Sequence, residues 1–171
     1  GVKIAVPKEY FKNIDKGVEK EIWTAVDKLE ELGAKYKEIS LPTTKYVLSA
    51  YYIIAMSEAS TNLARYCGIR YGLQREIEGN FDEYFSKVRT EGFGDEAKRR
   101  ILLGTFSRMA GYRDQYYMKA MKVRTMIIED FKKIFKKYDA IASPTMPVVA
   151  PKFSEIKKMS PLQTYQMDIL T

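Results

Sequence analysis

The segment from Glu91 to Phe106 holds the side chains best suited to chemistry, since a glycine-hinged loop there runs into a predicted helix. Lys98, Arg99 and Arg100 are consecutive cations near the start of that helix. Positive charge in a first turn opposes the helix dipole, which favours anions at that end. Anion recognition would explain the placement, because a guanidinium can hold a carboxylate through two hydrogen bonds. An arginine in a structural salt bridge is the ordinary alternative.

The composition excludes several kinds of site. The 171 residues include no histidine and one cysteine, Cys67, so His-dependent triads and His-ligated metal sites cannot form within the chain. No phosphate-binding glycine motif and no Gly-x-Ser-x-Gly context is present. The sequence therefore predicts no catalytic residue, no metal site and no cofactor site in this chain. Cys67 cannot form an internal disulfide, and no secretion signal or membrane span is recognisable, so we expect a cytoplasmic protein.

The chain is basic, with a net charge of +7. A basic balance can indicate nucleic-acid binding, but here the cations are spread over many segments. The densest group lies on one predicted amphipathic helix and comprises Lys119, Lys122, Arg124, Lys132, Lys133, Lys136 and Lys137. A solvated helix face explains this group better, and a role beside RNA stays open.

The first 40 residues predict a βαβ unit. Val2 to Val6 is a short apolar run that predicts a strand, and Asp15 is a suitable N-cap for the amphipathic helix that follows. Gly33 supplies the left-handed residue that ends such a helix, and Lys35 to Ser40 predicts a second strand. Strand, helix and strand with short links favour two parallel strands.

The remainder predicts mostly helices. The predicted elements are helices from Thr43 or Thr44 to Tyr66, around Phe81 to Val88, from Tyr112 to Tyr138 and from Pro161 through Asp168, a late strand from Asp139 to Ser143, and a loop over 148–160. The fold class is α/β, with a helical layer between the βαβ unit and the late strand. Both ends look cut, so we expect residues 1–171 to be a single incomplete segment of a larger α/β domain.

Several motifs carry a resemblance to a known family. They are Tyr51-Tyr52-Ile53-Ile54-Ala55, Ser57-Glu58-Ala59-Ser60, Asn62-Leu63-Ala64-Arg65-Tyr66, Gly68-Ile69-Arg70-Tyr71-Gly72, the segment from Glu91 to Phe106, and Ser143-Pro144-Thr145-Met146-Pro147. Over nearly its whole length the chain resembles the later half of the glutaminase subunits of tRNA-dependent amidotransferases, which belong to the amidase signature family. The segment from Glu91 to Phe106 is specific to these subunits, whereas the proline motif is shared more widely.

The resemblance implies part of an α/β/α mixed-sheet domain and a glutaminase activity. In the family, a Lys, a Ser in a cis peptide and a nucleophilic Ser hydrolyse glutamine, and the ammonia amidates Glu-tRNA(Gln) or Asp-tRNA(Asn). The resemblance also implies two partner proteins, the B and C subunits, in a heterotrimer, with ATP and Mg used on a partner. The catalytic residues belong upstream of Gly1, so the segment is expected to be inactive alone.

Three residues match substrate-holding positions of the family. The resemblance implies that Tyr51 lines the glutamine pocket, that Arg100 grips the α-carboxylate and that Asp168 binds the α-ammonium. By its spacing alone Tyr51 would be a core aromatic, and Asp168 would be an exposed acid at a helix end. Two other functions stay open: another amidase-signature hydrolase acting on a different amide, and a non-catalytic binding module.

Overall fold

The structure is a computed structural model that describes residues 1–167 and Leu170. It divides into two compact units. We call Gly1–Leu48 with Val123–Thr171 the sheet unit, and Ser49–Lys122 the helical unit.

The sheet unit begins with the predicted βαβ arrangement. Strand β1 (Lys3–Pro7), helix α1 (Lys16–Glu31) and strand β2 (Lys35–Ile39) follow one another, and the strands pair in parallel with Ile4 opposite Tyr36. The prediction of two parallel strands is therefore confirmed. Strand β3 (Ala140–Ile141) pairs in parallel with the other edge of β1, giving the order β2-β1-β3 within the described residues.

Local signals place α1 in this unit. The Asp15 carboxylate accepts hydrogen bonds from the N–H groups of Gly17 and Val18 at 2.8 and 3.2 Å, which satisfies two donors that a helix start leaves unpaired. Gly33, at φ 94°, reverses the chain after the helix in a conformation that favours glycine. The core that α1 forms with the sheet contains Ile4, Val6 and Val26, with Phe11, Trp23, Ala34, Tyr36 and Ala142 packed around it.

The helical unit contains three main helices. Helix α2 (Val47–Asn62) ends before the predicted limit of Tyr66, helix α3 (Phe81–Gly92) begins at the predicted residue, and helix α4 (Asp95–Arg108) follows closely. The buried Tyr84 of α3 donates its hydroxyl hydrogen to the Gly68 carbonyl at 2.9 Å and so fastens the glycine-flanked turn. None of the helices in the described part of the chain is long and apolar enough to cross a membrane.

The elements after α4 depart from several predicted bounds. A π-helical turn (Asp114–Met118) precedes helix α5 (Lys119–Phe135), so the predicted single helix from Tyr112 to Tyr138 is wrong at both ends. Strand β3 is shorter than predicted, and the Asp139 carboxylate instead accepts a hydrogen bond from the Lys3 N–H at 2.8 Å. A short helix, α6 (Phe153–Ile156), interrupts the predicted loop.

The chain's last described helix, α7 (Pro161–Gln166), follows a capping box. The Ser160 hydroxyl accepts from the Gln163 N–H at 3.3 Å, and the Gln163 side chain accepts from the Ser160 N–H at 2.8 Å. The predicted helix start at Pro161 is confirmed.

Candidate substrate-binding site

Helix α4 starts with acidic residues rather than with cations. Gly94 is the N-cap, and Asp95 and Glu96 occupy the first turn. Their negative charges suit the positive end of the helix dipole. The helix begins early enough to place Arg100 in its second turn, past the strongest part of the dipole, so its positive charge does not oppose the helix start.

Two of the three cations make structural contacts. The Lys98 ammonium donates to the Thr90 carbonyl at 2.9 Å, close to the end of α3, where helices leave carbonyl groups unpaired. The Arg99 guanidinium pairs with the Glu96 carboxylate through Nη1 and Oε2. Lys98 and Arg99 are thus each engaged by a group of the protein itself.

Arg100 is both held and accessible. Its Nε donates to Glu96 Oε1 at 2.9 Å, across one turn of the helix. The side chain nevertheless keeps 35% of its surface exposed, so it is only partly removed from solvent. A partly desolvated guanidinium that stays charged at every physiological pH is suited to binding a carboxylate.

Tyr51 faces solvent on helix α2. It is 46% exposed, whereas the adjacent Tyr52 is 8% exposed and its ring meets that of Tyr51 edge-on at a centroid distance of 5.0 Å. The interpretation of Tyr51 as a core aromatic is wrong, because Tyr52 occupies the buried position. An exposed tyrosine backed by a buried ring is suited to lining a pocket.

Helices α2 and α4 touch at backbone distance. A Cβ atom added to Gly104 would lie 1.9 Å from the Met56 carbonyl oxygen and 2.9 Å from the Ser60 Cβ, so only glycine permits this approach. Gly104 lies one turn beyond Arg100 on α4, and Met56 lies in the same helix as Tyr51. The contact therefore fixes the separation of the two helices that carry the candidate residues.

A polar contact reinforces the same helix pair. The hydroxyls of Ser57 and Ser107, both buried, lie 2.7 Å apart, and the Arg108 guanidinium donates to the Ser60 hydroxyl at 3.1 Å. The sequence alone assigns no role to Gly104 or to these serines. The sequence does contain one signal of this contact, because Gly104 lies inside a helical pattern, where glycine is unfavourable and so points to close packing or a function.

The third predicted residue, Asp168, lies outside the described residues. Tyr51 and Arg100 lie on packed helices of one unit, and the substrate-binding roles of all three residues stay predictions. Within the part of the chain that the structure describes, no group of three or more His, Cys, Asp or Glu side chains is placed to hold a metal ion. The Arg100 guanidinium can bind an anionic group, and Tyr51 offers an exposed ring on the helix that packs against α4.

Comparison with known proteins gives the class of this chain. The model of the family described as Amidase matches residues 1–171, and the chain belongs to the amidase family.

Particular members of the family are similar over the whole chain. The A subunit of glutamyl-tRNA(Gln) amidotransferase from Desulforamulus reducens is 52% identical and that from Carboxydothermus hydrogenoformans 54% identical, each over all of this chain and 35% of the relative. The crystal structure of the A subunit of glutamyl-tRNA(Gln) amidotransferase from Thermotoga maritima superposes with a TM-score of 0.69 at 40% identity, and the match covers all of this chain and 32% of that one. This chain thus spans about a third of the length of these relatives.

Proposed function

We propose that this chain is the substrate-holding segment of the glutaminase subunit of a tRNA-dependent amidotransferase. The observation that carries the proposal is the match of the entire chain, at about 50% identity, to proteins named as that subunit. In this proposal residues 1–171 are one segment of a larger amidase domain, and the Lys and Ser residues that perform the hydrolysis belong to the rest of the protein.

The chemistry of glutamine fits the side chains of the candidate site. Free glutamine carries a carboxylate and an ammonium at one end and the reactive amide at the other. The Arg100 guanidinium can bind the carboxylate through paired hydrogen bonds, and Tyr51 can cover the side-chain carbons. The resemblance assigns the ammonium to Asp168. Holding the charged end orients the amide toward a nucleophile, which lowers the entropic part of the barrier.

The remaining steps belong to the assembled enzyme. In the proposal, the ammonia released from glutamine passes to the B subunit, where tRNA-bound glutamate or aspartate is activated with ATP and Mg. The C subunit completes the heterotrimer, which works in the cytoplasm. This chain contributes no cofactor-binding residue to those steps.

The test uses two substrates and one substitution in the full-length protein. The first substrate is glutamine, and the second is 4-aminobutanamide, which has the same amide and ammonium but lacks the α-carboxylate. Arg100→Ala should lower kcat/KM for glutamine about 10- to 100-fold, the usual loss for one charge-assisted pair of about 1.5–3 kcal/mol. The same substitution should leave kcat/KM for 4-aminobutanamide unchanged, because that substrate lacks the carboxylate that Arg100 would bind.

Other outcomes point to the two competing functions. A protein that hydrolyses 4-aminobutanamide as well as glutamine, and is indifferent to Arg100→Ala, is another amide hydrolase. A full-length protein with no turnover of either substrate is a binding module. Lys122→Ala, which changes an exposed cation on α5, serves as the matched control for loss of one positive charge.

A further inference from the structure

We infer that Glu96 is a positioning residue for glutamine binding, which acts by fixing the orientation of the Arg100 guanidinium. The inference rests on the proposed function and adds to it a residue that touches no substrate. It starts from the single carboxylate that both neighbouring guanidiniums share.

The geometry assigns each oxygen of Glu96 to a different arginine. Oε1 accepts from Nε of Arg100 at 2.9 Å, and Oε2 contacts Nη1 of Arg99. A carboxylate held at both oxygens cannot rotate freely, so Arg99 fixes Glu96 and Glu96 fixes Arg100. The spacing supports this, because an acid four residues before a base on a helix is the favourable order for such a pair.

The position of the contact matters for substrate binding. Glu96 engages Nε, on the side edge of the guanidinium. An end-on bidentate contact with a ligand carboxylate uses the two Nη atoms, so the two carboxylates would meet different edges of one rigid plane. An arginine side chain has several rotatable torsions, and restricting them before the ligand arrives reduces the entropy lost on binding.

The pairing of Glu96 with Arg99 also matters for an anionic ligand. The Arg99 guanidinium at Oε2 offsets part of the repulsion that the Glu96 carboxylate would exert on a substrate carboxylate. The three side chains remain between 35% and 46% exposed. Ion pairs with this exposure contribute little to folding stability, so a role in alignment explains the shared carboxylate better than a role in stability.

The test compares Glu96→Ala and Glu96→Gln with the wild type in steady-state glutamine hydrolysis by the full-length protein. Glu96→Ala should raise KM for glutamine about 3- to 10-fold with kcat nearly unchanged, as expected for coupled neighbouring residues. Glu96→Gln should restore most of the wild-type KM, because its amide oxygen can still accept from Arg100 Nε. The kcat/KM for 4-aminobutanamide should not change in either variant.

A double variant and a control separate alignment from a general effect on the helix. When Arg100→Ala is already present, adding Glu96→Ala should change KM no further. Asp95→Asn removes the other acid of the first turn, which is exposed, and should leave KM at the wild-type value.

Each failure has its own signature. An unchanged or lower KM for glutamine in Glu96→Ala, combined with a strong defect in Arg100→Ala, overturns the role of Glu96 and spares the proposed function. An equal rise in KM for both substrates also overturns it, since that result indicates distortion of α4. A wild-type protein without glutamine turnover, or an Arg100→Ala variant without a defect, removes the proposed function and this inference together.

Discussion

The sheet unit and the helical unit hold their elements together by different means. In the sheet unit, Ile4, Val6 and Val26 meet in an apolar core in which each is at most 5% exposed. In the helical unit, α2 and α4 meet through the backbone at Gly104 and through the hydroxyls of Ser57 and Ser107.

The difference concerns tolerance to change. Apolar packing is non-directional, so replacing one apolar side chain by another of similar volume lowers the free energy of unfolding only modestly. A contact between a glycine and a carbonyl oxygen accepts no added atom, and a buried hydroxyl pair has a fixed length and direction. The candidate binding residues Tyr51 and Arg100 lie on the helices joined in this second way, where small errors of position would matter most for binding.

Gly104→Ala is the strongest test of that contrast. The new methyl group would lie 1.9 Å from the Met56 carbonyl oxygen, so α2 and α4 must separate. We expect a loss of about 2–3 kcal/mol in the free energy of unfolding, the upper range for overpacking. Denaturant unfolding of the purified protein measures the loss, and glutamine hydrolysis should weaken in parallel because the helices of Tyr51 and Arg100 move apart.

Gly92→Ala is the matched control for this substitution. Gly92 ends α3, and an added Cβ would meet only Leu73 side-chain atoms, at 3.6 Å and beyond, which is ordinary contact. The variant should remain within about 1 kcal/mol of the wild type. If Gly104→Ala behaves like Gly92→Ala, the close approach of the helices does not constrain the helical unit.

Val26→Ala tests the sheet unit by the same measurement. Val26 is 1% exposed in the core, and removing its two methyl groups should lower the free energy of unfolding by about 2 kcal/mol through lost burial and a residual cavity. Leu29→Ala, on the same helix but at a position that is 40% exposed, should lower it by less than about 1 kcal/mol. Because Tyr51 and Arg100 lie in the helical unit, the folded Val26→Ala protein should keep the wild-type KM for glutamine. A raised KM would contradict this expectation.

The sheet unit was the more predictable part of the fold. Its βαβ order, the Asp15 cap and the reversal at Gly33 depend on short-range patterns, which a sequence displays directly. Its later elements depend on distant residues. The length of β3 depends on pairing with β1 and on the bond between Asp139 and Lys3, which are 136 positions apart.

The candidate site rests on the resemblance and not on residue spacing, and it stays a prediction. Spacing alone left Arg100 as an ordinary salt-bridged arginine and made Tyr51 a core residue. The exposure of Tyr51 depends on which of two adjacent tyrosines turns toward the interior, and helical periodicity did not decide that. The role of Gly104 depends on the helix that packs against it, which a single sequence does not identify.

The smallest expected effect is on the pH dependence of stability. The sheet unit contains a hydrogen-bonded carboxylate whose protonation should weaken it, and the polar contact of the helical unit contains no such group. The Glu9 carboxylate accepts from the Ser40 hydroxyl at 2.5 Å and from the Leu41 N–H at 2.9 Å, which links the turn after β1 to the end of β2. Burial by itself raises the pKa of Glu9, but these hydrogen bonds outweigh it and the pKa lies below its ordinary value. The contact between Ser57 and Ser107 in the helical unit uses groups that do not titrate in this range.

A pKa lowered by folding gives the pH dependence its sign. The unfolded chain binds a proton at Glu9 more readily, so the stabilisation is complete above the ordinary carboxyl pKa and disappears as the pH falls through the lower folded-state pKa. Glu9→Gln should lower the free energy of unfolding by about 1 kcal/mol at neutral pH and by less in acid. Trp23, the one tryptophan among these 171 residues, lies in the sheet unit, and its fluorescence reports the unfolding of that unit. Glu21→Gln, at an exposed carboxyl on α1, is the control, and an equal loss at both pH values would show that the charge of Glu9 has no part in the link.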